Sequence, residues 1–456
     1  MNGLRVLITG GRAPCALDLS RAFAARGAEV YAAESLEHHL CAGSRAVKRS
    51  FRVPPPAQDP DGYAAALREI VRSEEIGLLL PTCEEIFYIS AHRGGFGPDC
   101  RVLAPPLETL RELHSKWAFI RLCARLGFAV PETVRLEFPD RGETGSGIGE
   151  ERIAGEIPRS RSGDPAYILK PEFSRFSSRL SLHGTLEEAR AEAARAGGAW
   201  VAQRFAAGEM LCTYGVAHRG RLLAHAAYRA PQTASGASVC FEPAADEQAR
   251  EWAVRFAERT NFSGQLAFDF IRTDEGALLP IECNPRATSG VHLLLAAQTQ
   301  AKRGAEGTAA GPEAAGEDPV RAEAGLRPAP SEGATDPDRR PDLLDALARP
   351  DKVRETIFAA PARTPMLLLP MLGSGLAQTG SPRRFAKWLR DFRGSRDVLL
   401  RRGDAAVMPE ALRMLLELRR RSRKLGISSS EASVHDIRWN GEAIGESAAG
   451  GNGTFT

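Results

Sequence analysis

Residues 264–286, GQLAFDFIRTDEGALLPIECNPR, restrict the folding of this chain more than any other stretch. Apolar residues run on both sides of the turn-type cluster Thr273-Asp274-Glu275-Gly276, a pattern that predicts two antiparallel strands joined in a hairpin. With Glu275-Gly276 as the turn, Asp269 and Glu282 fall opposite each other on one face, and Asn284, two residues on, shares that face. Phe268, Phe270 and Ile281 indicate strands that border a core. Two carboxylates and an amide oxygen are hard ligands suited to Mg²⁺, which keeps several waters and takes its remaining oxygens from phosphate.

A chain of 456 residues exceeds one ordinary core, and two or three domains are expected. With 43% hydrophobic and 26% charged residues and no apolar run of bilayer length, the composition is that of a globular protein without a membrane partner. MNGLRVLITGG lacks the basic, apolar and small-residue succession of a signal peptide, so a cytoplasmic location is expected. The eight cysteines show no C-x-x-C spacing and read as reduced thiols. A net charge of +3 demands no polyanion. The basic groups Arg401-Arg402 and Arg419-Arg420-Arg421 with Arg423 and Lys424 lack interleaved aromatics, so they read as a solvated or domain-packing face and nucleic acid is not an expected partner.

Residues 4–9, an amphipathic stretch from Ala16 to Arg26 and a second run from Ala28 to Ala33 form a β-α-β pattern. Further buried strands are predicted at Ile76–Leu80 and Arg101–Ala104, giving a parallel sheet covered on both faces. Gly10-Gly11 suggests a dinucleotide turn, but Ala13-Pro14-Cys15 stands where more glycines would admit a pyrophosphate, and Glu34 reads as a solvated acid. Leu107–Leu126 predicts one helix, closed by Gly127 and Pro131. Residues 139–165 read as a turn-rich mobile insertion, and 301–342, poor in large apolar residues, as a disordered insert. Arg383–Lys424 is helical in pattern, interrupted around Gly403 and Pro409, and the last residues read as a flexible tail. Ser433–Asn440 looks too specific for a tail, and its sequence gives it no role. His218, His225 and His292 read as core residues in preference to ligand contacts.

Five motifs occur in order: His114-Ser115-Lys116 with Gly127-Phe128-Ala129-Val130-Pro131, Ile168-Leu169-Lys170-Pro171, Ala202-Gln203-Arg204-Phe205, Gly208-Glu209, and Glu282-Cys283-Asn284-Pro285-Arg286. Together they resemble the ATP-grasp superfamily from the N-terminus to about residue 295, and within it the carbamoyl-phosphate-synthetase-like carboxylate-amine ligases. The resemblance implies a mixed α/β and α+β fold: a Rossmann-like domain over 1–105, an ATP-grasp domain with two α+β subdomains over 106–300, a C-terminal region with helices over 343–441, and a tail over 442–456. It implies ATP and Mg²⁺ as cofactors, with Asp269, Glu282 and Asn284 as metal ligands, and Lys116 and Lys170 on the phosphates. Gln203, Arg204 and Phe205 are implied at an adenine hinge, Glu209 at the ribose, and Arg286 at the transferring phosphoryl group. Residues 172–178 stand where relatives carry a glycine-rich lid; here the loop is glycine-free, and Ser174, Ser177, Ser178 and Arg175 are its candidate donors. Arg229 is a candidate clamp for an acceptor carboxylate. The implied reaction joins a carboxylate to an amine through an acyl phosphate, with homodimers common among relatives. Activation of bicarbonate or carbamate, and a non-catalytic nucleotide-dependent binding protein, are the alternatives.

Overall fold

A computed structural model describes residues 1–139, 149–156, 163–174, 179–234, 237–296, 339–359, 363–377 and 379–444. The N-terminal lobe follows the β-α-β expectation. Strands β1 (Arg5–Thr9), β2 (Glu29–Glu34), β3 (Arg49–Arg52), β4 (Leu78–Leu80) and β5 (Arg101–Val102) form a parallel sheet in the order β3-β2-β1-β4-β5. Helices α1 (Pro14–Ala24), α2 (Pro60–Ser73) and α3 (Glu85–Ala91) connect the strands. Gly10 lies at φ +71°, and a Cβ there would meet Thr82 Oγ1 at 2.6 Å, so this turn lets the β1 and β4 ends approach each other. Glu34 is not solvated: it is buried, ion-paired with Arg12, and accepts from the backbone N–H of Ser35 and Leu36.

The single helix expected over Leu107–Leu126 is two, α4 (Leu107–His114) and α5 (Lys116–Arg125). Ser115 breaks it by taking an extended backbone and accepting from Ala118 N, so it caps α5 and makes Lys116 the first helical residue. A second sheet is antiparallel, in the order β7-β6-β10-β8-β9. Its strands are β6 (Thr133–Phe138), β7 (Gly149–Ile153), β8 (Tyr167–Pro171), β9 (Ser181–His183) and β10 (Gly198–Arg204), with helix α6 (Leu186–Ala196) packed on it. Part of the expected insertion is therefore sheet: β7 pairs along β6, and its Glu150 is ion-paired with Arg190 of α6. The rest of that insertion, 140–148 and 157–162, lies outside the described residues.

The third sheet is the largest, running β15-β14-β11-β12-β13-β17-β18 with β16 beside β12. It comprises β11 (Gly208–His218), β12 (Arg221–Ala234), β13 (Ala237–Pro243), β14 (Gly264–Thr273), β15 (Leu278–Asn284), β16 (Ile357–Phe358), β17 (Thr364–Met366) and β18 (Ser395–Asp397). Helix α7 (Glu247–Thr260) lays Trp252 and Phe256 on Phe268 of β14, with ring centroids 4.8 and 5.0 Å apart, and a further helix, α8, starts at residue 290. The C-terminal residues are spread over the molecule: β16–β18 extend this sheet, while the helix Leu343–Ala348 joins a core shared with the N-terminal lobe. Of the expected disordered insert, 301–338 lie outside the described residues, but Arg339 is ion-paired with Asp342, which caps that helix. Pro409 does not interrupt a helix. It sits in the first turn of Val407–Leu425, where no intrahelical N–H bond is needed; the break falls between this helix and Pro382–Gly394.

Ser433–Asn440 locks the C-terminus onto the first lobe. Asp436, fully buried, accepts from Arg12 Nη1 at 2.7 Å, Arg12 Nη2 at 2.8 Å and Ser35 Oγ at 2.6 Å, and Arg421 lies 3.1 Å away. Trp439 stacks on Phe87 at 4.6 Å and meets Phe173 edge-on at 5.6 Å. Burial by itself would raise the Asp436 carboxyl, but the Arg12 hydrogen bonds hold it well below the usual carboxylate range. Asp436→Ala is expected to cost about 3–5 kcal/mol, since it leaves the buried Arg12 guanidinium with one of its two carboxylates, Glu34; denaturant midpoints measure this. A depressed native pKa adds stability above the unfolded carboxyl's range and loses it as pH falls, so Asp436→Asn should be the less acid-sensitive protein.

Candidate active site

The hairpin places its acids opposite each other, by a route the sequence did not indicate. Thr273 N donates to Ala277 O, making a three-residue connection in which Gly276 takes φ +86°. Arg272 pairs with Leu278 and Phe270 with Pro280. A bulge between Asp269 and Phe270 then restores the register, so Asp269 faces Glu282 and Ala267 faces Asn284. On the other side of β14, Asp269 pairs with Cys212 and Ile271 with Met210 of β11.

Asp269, Glu282, Asn284, Met210 and Ile271 line a cavity of about 640 Å³ bounded by the second and third sheets and by the segments that follow β1 and β4 of the first. Lys170, buried at the end of β8, donates to Gln203 Oε1 at 3.0 Å and to Ile281 O at 3.4 Å. Lys116, buried at the start of α5, donates to Ser174 O at 3.1 Å and lies 3.8 Å from Glu282 Oε2. Arg286 Nη2 donates to Asn284 Oδ1 at 2.8 Å and stands 3.9 Å from the buried Glu84. Burial, with Lys116 nearby, brings the Lys170 ammonium down to about 8. Burial, with Glu282 opposite, pushes the Asp269 carboxyl up to about 6. Both shifts mark charged groups held close together out of water, a pattern that gathers at functional sites.

Asp269, Glu282, Asn284, Lys116, Lys170, Arg286, Ser174, Gln203, Arg204 and Phe205 all line this one cavity, whereas Glu209 and Arg229 do not. Arg229 Nε is ion-paired with Glu209 Oε1 at 2.7 Å, which engages the expected carboxylate clamp with the expected ribose acid. The hinge also differs in detail. Gln203 spends its side chain on Lys170 and Thr133, while Arg204 N and Phe205 N donate to Glu132 O and Ala166 O. The wall there is apolar, built by Ile168, Met210, Ile271 and Ile281. Neither Met210 nor Ile271 belongs to a motif; alternation along β14 carries the signal, since Ile271 shares a face with Asp269. Ser177, with Arg175 and Ser178, lies outside the described residues. His218 and His225 lie away from the cavity, but His292, read as core, lines it.

Among the described residues, no group of three or more His, Cys, Asp and Glu side chains is arranged to hold a metal. The donor set of two carboxylates and one amide oxygen nevertheless fits Mg²⁺, which commonly takes one or two protein carboxylates with water and phosphate oxygens. All eight cysteines are buried, and none of them is in a disulfide. Among the described residues, no helix is long and apolar enough to cross a membrane.

No protein-family model matches the sequence, and no curated protein matches it. Among solved structures, the chain is similar to the L-amino acid ligase of Bacillus licheniformis, with 13% identity over 65% of this chain and 71% of that one, at a TM-score of 0.48. It is also similar to the N5-carboxyaminoimidazole synthetase of Staphylococcus aureus, with 12% identity over 63% and 72% of the two chains and a TM-score of 0.46. A third likeness, at 14% identity, 63% and 65% coverage and a TM-score of 0.44, is to the biotin carboxylase domain of the Hydrogenobacter thermophilus 2-oxoglutarate carboxylase, solved with MgADP, ADP and bicarbonate. All three likenesses are distant and partial. They are likenesses of fold, and the functional reading rests on the cavity's own residues.

Proposed function

We propose that this chain is an ATP-dependent ligase that joins a carboxylate to an amine through an acyl phosphate and releases ADP and phosphate. The observation that carries the proposal is the convergence of Lys116, Lys170 and Arg286 with Asp269, Glu282 and Asn284 in one cavity of nucleotide size. Met210 and Ile271, opposite each other on β11 and β14, offer apolar surface to a purine, and Arg204 and Phe205 close that end. Lys116 and Lys170 then hold the phosphates, at a distance from solvent that strengthens their attraction. Asp269, Glu282 and Asn284 would hold Mg²⁺, which when bound offsets phosphate charge. Arg286, tied to Asn284, faces the charge that develops as the carboxylate oxygen attacks the γ-phosphorus. The amine next attacks the acyl carbon and expels phosphate, so no protein nucleophile is needed.

The test is ADP and phosphate release from Mg-ATP by the purified chain, offered pooled small carboxylic acids and amino acids. Release that requires both an acid and an amine is the expected result. Release indifferent to either pool, or tight ATP binding without turnover, would replace the ligase with a hydrolase or a nucleotide-dependent binding protein.

A further inference from the structure

Asp18 of α1 and His292 of α8 form a buried pair at the first-lobe end of the same cavity. Asp18 Oδ2 lies 2.6 Å from His292 Nδ1, and Arg401 Nη2 donates to Asp18 Oδ1 at 2.5 Å. Both residues are almost fully buried, at 3% exposure each, and the imidazole stacks on Phe241 with ring centroids 5.7 Å apart and planes 23° apart. Burial of Asp18 would raise its carboxyl, but the His292 hydrogen bond and the guanidinium groups of Arg401 and Arg21 bring it below its ordinary value. An ionised Asp18 keeps the proton on Nδ1, so the nitrogen that can serve a cavity ligand is Nε2. His292 lines the cavity with Thr288 and Ser289, just beyond Arg286, and with Pro14 and Cys15 from the start of α1. The nucleotide-end residues Gln203–Phe205 belong to β10 and the segment after it, in a different sheet.

We infer that His292 is the general base for the amine acceptor, with Asp18 as its positioning residue; this rests on the ligase reading above. The acceptor arrives as an ammonium and gives one proton to Nε2 of His292. Its freed lone pair forms the bond to the acyl carbon, and the bond from that carbon to the phosphate oxygen breaks with its electron pair on phosphate. The second proton of the new nitrogen leaves with the phosphate. Carboxylate activation by ATP requires none of these transfers, which separates the roles of His292 and Lys170.

The experiment compares two nucleophiles on the full-length chain with Mg-ATP and pooled carboxylic acids. One is pooled amino acids, which are ammonium ions at neutral pH; the other is hydroxylamine, which is neutral there and needs no base. For His292→Gln, amide formation is expected to fall about 10²-fold or more, while hydroxamate formation falls far less, so the ratio of the two rates collapses. Asp18→Asn should shift the ratio the same way, and it carries the comparison if His292→Gln does not fold. An unchanged ratio in either folded variant overturns the base. Wild-type protein that makes neither amide nor acid-dependent hydroxamate overturns the ligase reading itself.

Discussion

Glu282→Ala is expected to lose acid-dependent ADP release by about 10²–10³-fold, the scale on which enzymes lose a charge-stabilising element of the transition state. Two effects combine. The substitution removes one of the two carboxylates that face each other across β14 and β15, and it takes away the acid 3.8 Å from the Lys116 ammonium. Lys170, whose charge Lys116 already disfavours, then keeps Asp269 but loses Glu282 of the two carboxylates that favour it. Backbone pairing of Asp269 with residue 282 does not involve the side chain, so the hairpin is expected to fold. Two measurements separate a lost ligand from a lost fold: steady-state ADP release, and the thermal upshift produced by ATP as a function of Mg²⁺ concentration. The variant should show an unperturbed melting temperature alone and an upshift that needs much more Mg²⁺. Full turnover by this variant would remove the metal assignment.

Lys170→Met should lose activity without losing stability. Removing a buried phosphate-holding cation is expected to cost about 10²–10³-fold in kcat/KM. The folded protein, however, spends free energy to keep that cation. A displacement from 10.5 to about 8 corresponds to about 3 kcal/mol of preference for the neutral amine. Methionine follows the same path through the β8 end without the charge. Against this gain stands Gln203 Oε1, which loses its donor at a cost of about 1–3 kcal/mol. The two terms nearly cancel, so the variant should be as stable as the parent or slightly more so at pH 7. The sign of the pH dependence follows from the same shift. Between about 8 and 10.5 the unfolded chain binds more protons at this site than the folded one, so parent stability rises with pH across that window. The variant should lack this rise. Denaturant midpoints at pH 7, 8, 9 and 10 measure it; a variant several kcal/mol less stable at pH 7 would mean that Lys170 is a structural group.

What the sequence determined by itself is the part governed by period and local chemistry. Alternating strands and helices sufficed for the parallel first lobe, and apolar runs around a turn cluster sufficed for a hairpin with Asp269 and Glu282 face to face. Motif order grouped Lys116, Lys170 and Arg286 with that hairpin, but the helical pattern ran through Lys116, and only the structure shows the Ser115 break that puts it at the start of α5. Other features depended on partners distant in the chain. The compensating bulge after Asp269 is not encoded in turn residues, since it reconciles a three-residue loop with pairing on both edges of β14. Glu34 reads as a solvated acid, and Asp436 sits in a segment with no legible role, until Arg12, 22 and 424 positions away from them, buries with both. Arg229 and Glu209 look like two separate ligand contacts until neighbouring strands pair them. His292 looked like a core residue because a lone histidine on an apolar helix carries no sign of its partner. Only the packing of α8 on α1 supplies Asp18, 274 positions away, and turns a buried imidazole into an oriented one. Local patterns report which face of an element is apolar; they cannot report which buried charge meets which, because that choice is made by the docking of elements.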